Sequence, residues 1–271
     1  MKAFAVFGDP VAHSKSPRIH NNAIKALNLQ GVYMRYHLTN AENLRDKLFL
    51  LALNGANITV PFKETALKIA DFKDKMALNI GSANTLLVKN AKIHAYNTDG
   101  IGFLKAIAEF KCITNALILG AGGTAKALAY ALTTQGVKVS VANRSAPRLT
   151  DFASYDTALY ENLQAKPFDI IINTTSAGLK DECLPCDENL LKTLLQKAKF
   201  AFEVIYGKQT PFLKLAKAFK TPCKDGAAML LWQGVFAFEL FWQLSDNPFS
   251  NPSPQRQIIV NSMQKALNLG D

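Results

Sequence analysis

The stretch Ala116-Leu117-Ile118-Leu119-Gly120-Ala121-Gly122-Gly123-Thr124-Ala125 limits the fold more than any other part of the chain. Its apolar run reads as a buried strand and its glycines as a tight turn; Ala127, Leu128, Ala131 and Leu132 then mark a helix. Strand, turn and helix in that order give a G-x-G-x-x-A run its meaning, because glycine alone is common in surface turns. Gly120 permits the sharp turn, Gly122 lets backbone approach a pyrophosphate, and Ala125 keeps the helix close to the strand. The helix start, with Ala121, Gly123 and Thr124 around it, offers N–H groups to phosphate oxygens.

The downstream half of the unit sharpens this reading. Val137-Lys138-Val139-Ser140-Val141 alternates as a second strand and runs into Asn143-Arg144-Ser145. An NAD site keeps an acidic residue at this point for the ribose hydroxyls, and an acid would repel a 2′-phosphate. Arg144 instead offers a planar fork that matches a phosphate, and Arg148 reaches the same group from a following helix. The expected cofactor is therefore NADP.

A chain of 271 residues has room for two domains with separate cores, and 49% hydrophobic with 19% charged residues describes a globular protein. The formal charge of +10 comes from lysines spread along the chain without a dense basic run. A phosphorylated cofactor and an anionic substrate account for it without nucleic acid. Four cysteines include the pair Cys183-Leu184-Pro185-Cys186, but no second pair or histidine stands near it, and no metal site is expected. The opening strand is too brief for a secretory leader, and Met229 to Trp242 is too short to span a bilayer. The expectation is a cytoplasmic protein with reduced thiols and no membrane partner.

Before the dinucleotide unit the chain alternates strands and helices. Strands are expected over 3–7, 33–38, 56–60, 85–88 and 92–96, and helices over 17–27, 42–53 and 63–70. The short turn Lys89-Asn90-Ala91 forces the last two strands to be antiparallel, so this sheet is mixed. The fold class is α/β. Residues 1–99 form a substrate domain, 100–226 a Rossmann-type NADP domain, and 227–271 helices that return to the first domain.

Polar residues of the first domain gather at strand ends, where open α/β sheets bind ligands. After the first strand comes His13-Ser14-Lys15-Ser16-Pro17. Ser16 suits an N-cap and Pro17 the first helical position, which leaves Ser14 over. Two hydroxyls at a helix start also suit a carboxylate, and the segment alone does not choose between these readings. Lys63 emerges just past the strand that ends in Thr59-Val60-Pro61. Asn84 opens the next strand, and Asn97-Thr98-Asp99-Gly100 opens a helix. Asp99 is either a cap or, with Lys63, a proton-transfer pair facing a hydroxyl.

Later strands are expected over 168–173 and 200–205, and Thr210-Pro211 starts a helix by cap chemistry. Met229 to Leu244 is apolar nearly all round, so this helix should be buried, with Gln233 its conspicuous polar residue. Residues 247–254 read as a linker and Arg256 to Leu267 as a closing helix.

These motifs together resemble the shikimate dehydrogenase family. The resemblance is carried by Ala5-Val6-Phe7-Gly8-Asp9-Pro10 with His13 to Pro17, by Asn57 to Lys63, and by Ala83-Asn84-Thr85 and Asn97 to Gly100. The glycine turn, Asn143-Arg144-Ser145, Gln209 to Leu213, and Asp225-Gly226 with Gln233 complete it. It implies reversible NADPH-dependent reduction of 3-dehydroshikimate to shikimate, in aromatic amino-acid biosynthesis. By family position, Ser14 and Ser16 hold the substrate carboxylate, and Thr59, Asn84, Asp99 and Gln233 its ring hydroxyls. Lys63 is the catalytic acid/base beside Asp99, and Tyr206 lies near substrate and nicotinamide. Val204 and Gly226 meet the cofactor, and Arg144 and Arg148 its 2′-phosphate. The chain departs from the family at Glu203-Val204, where aspartate and methionine are usual, at Ala227-Ala228, and at Ala83. A monomer or homodimer is expected. The alternatives are a quinate/shikimate dehydrogenase of broader range and a non-catalytic shikimate-binding sensor, the latter disfavoured by the intact Lys63 and Asp99.

Overall fold

A computed structural model describes residues 1–245 and 247–267. The chain divides into two compact units: residues 1–102 with the chain from Leu230 onward, and residues 103–229. The sequence reading put the boundaries at helix starts, after residues 99 and 226. The structure puts them inside two continuous helices, because the chain passes from unit to unit without a break in its helical hydrogen bonding. Residues 268–271, the end of the expected C-terminal segment, lie outside the described residues.

The first unit follows the order β1 (Lys2–Gly8), α1 (Ser16–Ala26), β2 (Gly31–His37), α2 (Leu44–Leu50), β3 (Gly55–Ile58) and α3 (Lys63–Ile69). Next come β4 (Phe72–Lys73), α4 (Lys75–Ile80), β5 (Thr85–Lys89), β6 (Lys92–Tyr96) and the start of α5 (Asp99–Ala106). The sheet order is β2-β1-β3-β5-β6-β4. It is mixed as expected: β1 pairs in parallel with β2 and β3, and β5 is antiparallel to β3 and β6. The helix expected over 42–53 is shorter. Asn40 accepts the Glu42 N–H at 2.9 Å and starts a 3₁₀ turn over Ala41–Asn43 before α2. The sequence reading missed β4 and α4; α4 is only six residues long, too short for a clear helical period.

The second unit holds β7 (Asn115–Leu119), α6 (Gly123–Thr134), β8 (Lys138–Asn143), β9 (Asp156–Leu159), β10 (Ile170–Asn173) and α7 (Glu188–Lys197). These are followed by β11 (Phe200–Glu203), α8 (Pro211–Ala218), β12 (Cys223–Lys224) and the start of α9 (Ala227–Trp242). Every strand pair here is parallel, in the order β12-β11-β10-β7-β8-β9. The strand order reverses between β7 and β10, which makes a crevice past their C-terminal ends. Strands buried on both faces need apolar runs, and Leu117, Ile118, Leu119, Ile170, Ile171 and Ile172 are all fully buried. Thr210 caps α8 as expected, its hydroxyl accepting the Leu213 N–H at 3.3 Å. The helix expected to carry Arg148 is a 3₁₀ segment over Ala146–Phe152.

In the first unit, α9 buries its aromatic residues against β1 and α1. Phe241 stacks on Phe4 with ring centroids 4.8 Å apart, and Phe238 stacks on His20. Burial pushes His20 down to about 3, so it stays a neutral core aromatic. The last helix, α10 (Arg256–Leu267), is held to α9 by charge. Glu239 is fully buried and accepts from the Ser253 hydroxyl at 2.6 Å, the Arg256 Nε at 3.1 Å, and the Arg256 Nη2. Among the described residues no helix is long and apolar enough to cross a membrane.

Removing one partner of a buried ion pair strands the other charge, at a cost of about 3–5 kcal/mol. Arg256→Ala is expected to lower the unfolding free energy by that amount in urea titrations. The double variant Glu239→Leu/Arg256→Met should lose distinctly less.

Candidate active site

The first unit's strand ends converge on one ion pair. β3 ends at Ile58, and the turn through Thr59 and the cis Val60–Pro61 peptide delivers Lys63 to the first position of α3. Because β5 is antiparallel, its beginning lies beside the ends of β3 and β6: Asn57 pairs with Thr85, and Thr85 with Tyr96. Asn84, just before β5, and Asp99, just after β6, thus meet at the same edge as Lys63. Lys63 Nζ lies 2.6 Å from Asp99 Oδ2, and both residues are buried.

Asn84 organises this pair. Its Oδ1 accepts the Thr98 N–H at 2.8 Å, which fixes the orientation of the amide. Its Nδ2 therefore donates to Asp99 Oδ1 at 2.8 Å and to Thr98 Oγ1 at 2.9 Å. Gln233 on α9 reaches the group more loosely: Asn84 Nδ2 is 3.4 Å from its Oε1, while its Nε2 donates to the Leu230 carbonyl at 2.9 Å. Lys63, Asp99, Asn84 and Gln233 are thus brought together. Thr59 stands half-buried on the turn before Lys63.

Behind them runs a layer that the sequence reading did not single out. Tyr33 Oη donates to Asn57 Oδ1 at 2.7 Å, and Asn57 Nδ2 donates to Thr85 Oγ1 at 3.0 Å and to the Asn84 carbonyl at 3.2 Å. The available signal was polar side chains at buried strand positions, Asn57 on β3 and Thr85 on β5.

At Ser14 and Ser16 the structure corrects the local expectation. α1 begins at Ser16 itself, with no side-chain cap from its N-cap residue Lys15. The Ser14 hydroxyl accepts the Ser16 N–H at 3.3 Å and donates to Ser16 Oγ at 3.2 Å. Ser14 thus serves the helix start, and Ser16 is the serine left without a backbone task. The reason is register: Ser16 already has helical backbone, so the hydroxyl two residues earlier is the one that reaches the exposed N–H. Arg35, which the sequence did not flag because an arginine on an edge strand reads as solvated, donates twice to the Ser14 carbonyl.

In the second unit, the glycine turn sits past β7 at the switch point. Gly120 has φ +105°, and a Cβ there would come 2.7 Å from Thr174 Oγ1, so both conformation and space require glycine. A Cβ on Gly122 would meet nothing within 4 Å, and α6 starts there without a side-chain cap. Packing therefore does not explain Gly122, whereas a phosphate resting on the helix start does. Ala121, Gly123 and Thr124 complete this turn. Asn143 Nδ2 donates to the Ser145 carbonyl at 3.0 Å and to its hydroxyl at 3.2 Å, which holds the turn and projects the exposed Arg144. Arg148 is exposed on the 3₁₀ segment just beyond. These residues fit a phosphorylated dinucleotide.

Gly226 has a reason of its own to be glycine: a Cβ there would come 2.1 Å from the Val204 carbonyl oxygen. Its position ties the start of α9 to the end of β11, where half-buried Val204 and Tyr206 stand. The Glu203 departure is accommodated in the core. The carboxylate is fully buried and accepts from Asn173 Nδ2 at 2.8 Å, Thr210 Oγ1 at 2.9 Å and the Ile205 N–H at 3.1 Å. Burial pushes it up to about 7 despite these donors.

An all-parallel sheet with a phosphate-binding glycine turn, in a chain that also buries a lysine–carboxylate pair, defines a dinucleotide-dependent dehydrogenase. Residues 6–86 match the family model described as the shikimate dehydrogenase substrate binding domain, and residues 105–180 the model for shikimate / quinate 5-dehydrogenase. The NADP(+) shikimate dehydrogenase of Helicobacter hepaticus is 48% identical over 88% of this chain and 90% of its own length. That of Helicobacter pylori is 43% identical over 92% of this chain and 95% of its own. Among solved structures, the Thermus thermophilus shikimate 5-dehydrogenase in complex with NADP(H) and shikimate superposes with a TM-score of 0.82 at 33% identity. The match covers 98% of this chain and 100% of that one. The chain belongs to the shikimate dehydrogenase family.

Glu203 makes a pH prediction. A carboxyl whose folded pKa is raised binds its proton more tightly in the folded state, so stability falls as pH rises from about 4.5 to about 7. Relative to Glu203→Gln, the natural protein should lose about 3 kcal/mol across that window and nothing further above it. Denaturant titrations of both proteins between pH 4.5 and 8 check this.

Proposed function

We propose that this chain catalyses the reversible NADPH-dependent reduction of 3-dehydroshikimate to shikimate. The observation that carries the reading is the buried Lys63–Asp99 pair at 2.6 Å, oriented by Asn84 at the polar edge of the first sheet. When bound, the cofactor supplies the hydride that turns the ring ketone into an alcohol. The carbonyl oxygen then needs a proton, and the Lys63 ammonium donates it, leaving a neutral amine to be reprotonated from solvent. In the oxidative direction the amine accepts the hydroxyl proton. Asp99 orients Lys63 toward the reacting oxygen through their 2.6 Å ion pair.

Around this pair, Thr59, Asn84, Asp99 and Gln233 bind the ring hydroxyls, and Ser14 and Ser16 bind the carboxylate, with Tyr206 completing the substrate contacts. In the second unit, Gly120, Ala121, Gly122, Gly123 and Thr124 hold the pyrophosphate through backbone N–H groups. Asn143 and Ser145 shape the turn that presents Arg144, which meets the 2′-phosphate together with Arg148. Val204 and Gly226 line the cofactor's nicotinamide end. The reading extends to a cytoplasmic monomer or homodimer, and the four free cysteines support a reducing compartment.

An absorbance assay of NADPH, run with shikimate and quinate against NADP and NAD, tests the assignment; activity with shikimate and NADP is expected. Lys63→Ala should cut kcat by about 10²–10⁴ while calorimetry finds shikimate binding within a few-fold of the natural protein. Near-normal turnover in a folded Lys63→Ala protein would remove the lysine from the mechanism. Arg144→Ala should weaken NADP about tenfold, the loss of one charge-assisted hydrogen bond, with NAD use unchanged. Equal losses with the two cofactors would make that arginine structural.

A further inference from the structure

We infer that Arg35 is the positioning residue of the carboxylate anchor: it pins the Ser14 carbonyl and thereby sets the hydrogen-bonded serine pair whose remaining proton the anion accepts. The inference rests on the carboxylate reading of Ser14 and Ser16 given above. Arg35 lies on the edge strand β2, opposite Val6 of β1, and its guanidinium reaches over the segment that follows β1. Nε and Nη2 donate to the same oxygen, the Ser14 carbonyl, at 2.9 and 2.7 Å. Ser14 N–H is engaged as well, donating to the Val11 carbonyl at 3.0 Å. With both of its backbone polar groups held, Ser14 presents its side chain at a fixed angle.

The consequence passes from Ser14 to Ser16. Ser14 Oγ accepts the Ser16 N–H and donates its proton to Ser16 Oγ, so the Ser16 proton is the one the pair leaves for an incoming acceptor. An acceptor-only carboxylate needs such a directed proton, and a serine pair free to rotate would offer it only part of the time. The clamp also places a full positive charge at hydrogen-bond range of the loop that would receive the anion, which favours an anion there. A lysine keeps the charge but cannot fork two N–H groups onto one oxygen. No carboxylate pairs with Arg35 among the described residues, so the Ser14 carbonyl is its structural partner.

The test compares shikimate with its methyl ester, which keeps the ring and removes the anion. Calorimetric Kd values and steady-state constants are measured for the natural protein, Arg35→Ala, Arg35→Lys and Ser16→Ala. Arg35→Ala is expected to weaken shikimate about tenfold and the ester hardly at all. It should raise KM for shikimate while kcat and the KM for NADP hold, and Arg35→Lys should recover part of the loss. Equal losses for shikimate and ester, or an unchanged shikimate Kd, would overturn the inference. Ser16→Ala separates the two levels of the argument. If it weakens shikimate alone while Arg35→Ala weakens neither ligand, only the clamp falls; if it weakens both ligands equally, the carboxylate assignment falls. Should Arg35→Ala fail to fold, Arg35→Gln, which keeps a single uncharged donor nitrogen in place of the guanidinium fork, carries the same comparison with a smaller expected loss.

Discussion

A lysine and an aspartate cannot both be taken out of water unless each has a partner, and the first unit is built around meeting that condition at Lys63 and Asp99. Neither charge would be stable alone at its burial, so each fixes the other. The second aspartate oxygen is satisfied by Asn84, whose amide is in turn oriented by Thr98 and backed by Thr85 and Asn57. A fully satisfied polar network of this kind is rigid, because any displaced member leaves a buried group unpaired. Rigidity is what proton transfer to a defined oxygen demands.

The two units solve the problem of placing polar groups at an apolar sheet in the same way. In each, the strand order reverses, at β1/β3 in the first and at β7/β10 in the second, and the chain diverges past the strand ends. Backbone N–H groups and short polar side chains collect there without interrupting the buried strands. The first unit adds the antiparallel β5, which brings Asn84 to that edge from the opposite chain direction.

Two local departures show how the surroundings redefine a residue's task. Ser16 suits a helix cap by type, yet the hydroxyl of Ser14 serves the helix start, which frees Ser16. Glu203 stands where the family keeps a shorter acid, and the core absorbs the extra length by aiming Asn173, Thr210 and the Ile205 N–H at it. In both cases the residue type allows several hydrogen bonds, and the fold selects among them.

The sequence alone determined the elements whose chemistry is local. The glycine turn after an apolar strand, the arginine in place of an acid at Arg144, the Thr210-Pro211 helix start and the forced antiparallel pair at residues 85–96 need only neighbours in the chain to be read. Pairing Lys63 with Asp99 was legible as a candidate because both stand at strand ends, but their contact at 2.6 Å depends on β3 and β6 flanking β5. The contacts of Arg35 and Tyr33 were not legible, and Asn57 was legible only as a polar residue of a strand-end motif. The partners of the side-chain hydrogen bonds described above lie 21 or more residues away, and periodicity gives an arginine on an edge strand no mark that separates a clamp from a solvated side chain. Short elements such as α4 and β4 escaped for a related reason: six residues or fewer carry too little periodicity, so tertiary contacts decide their conformation.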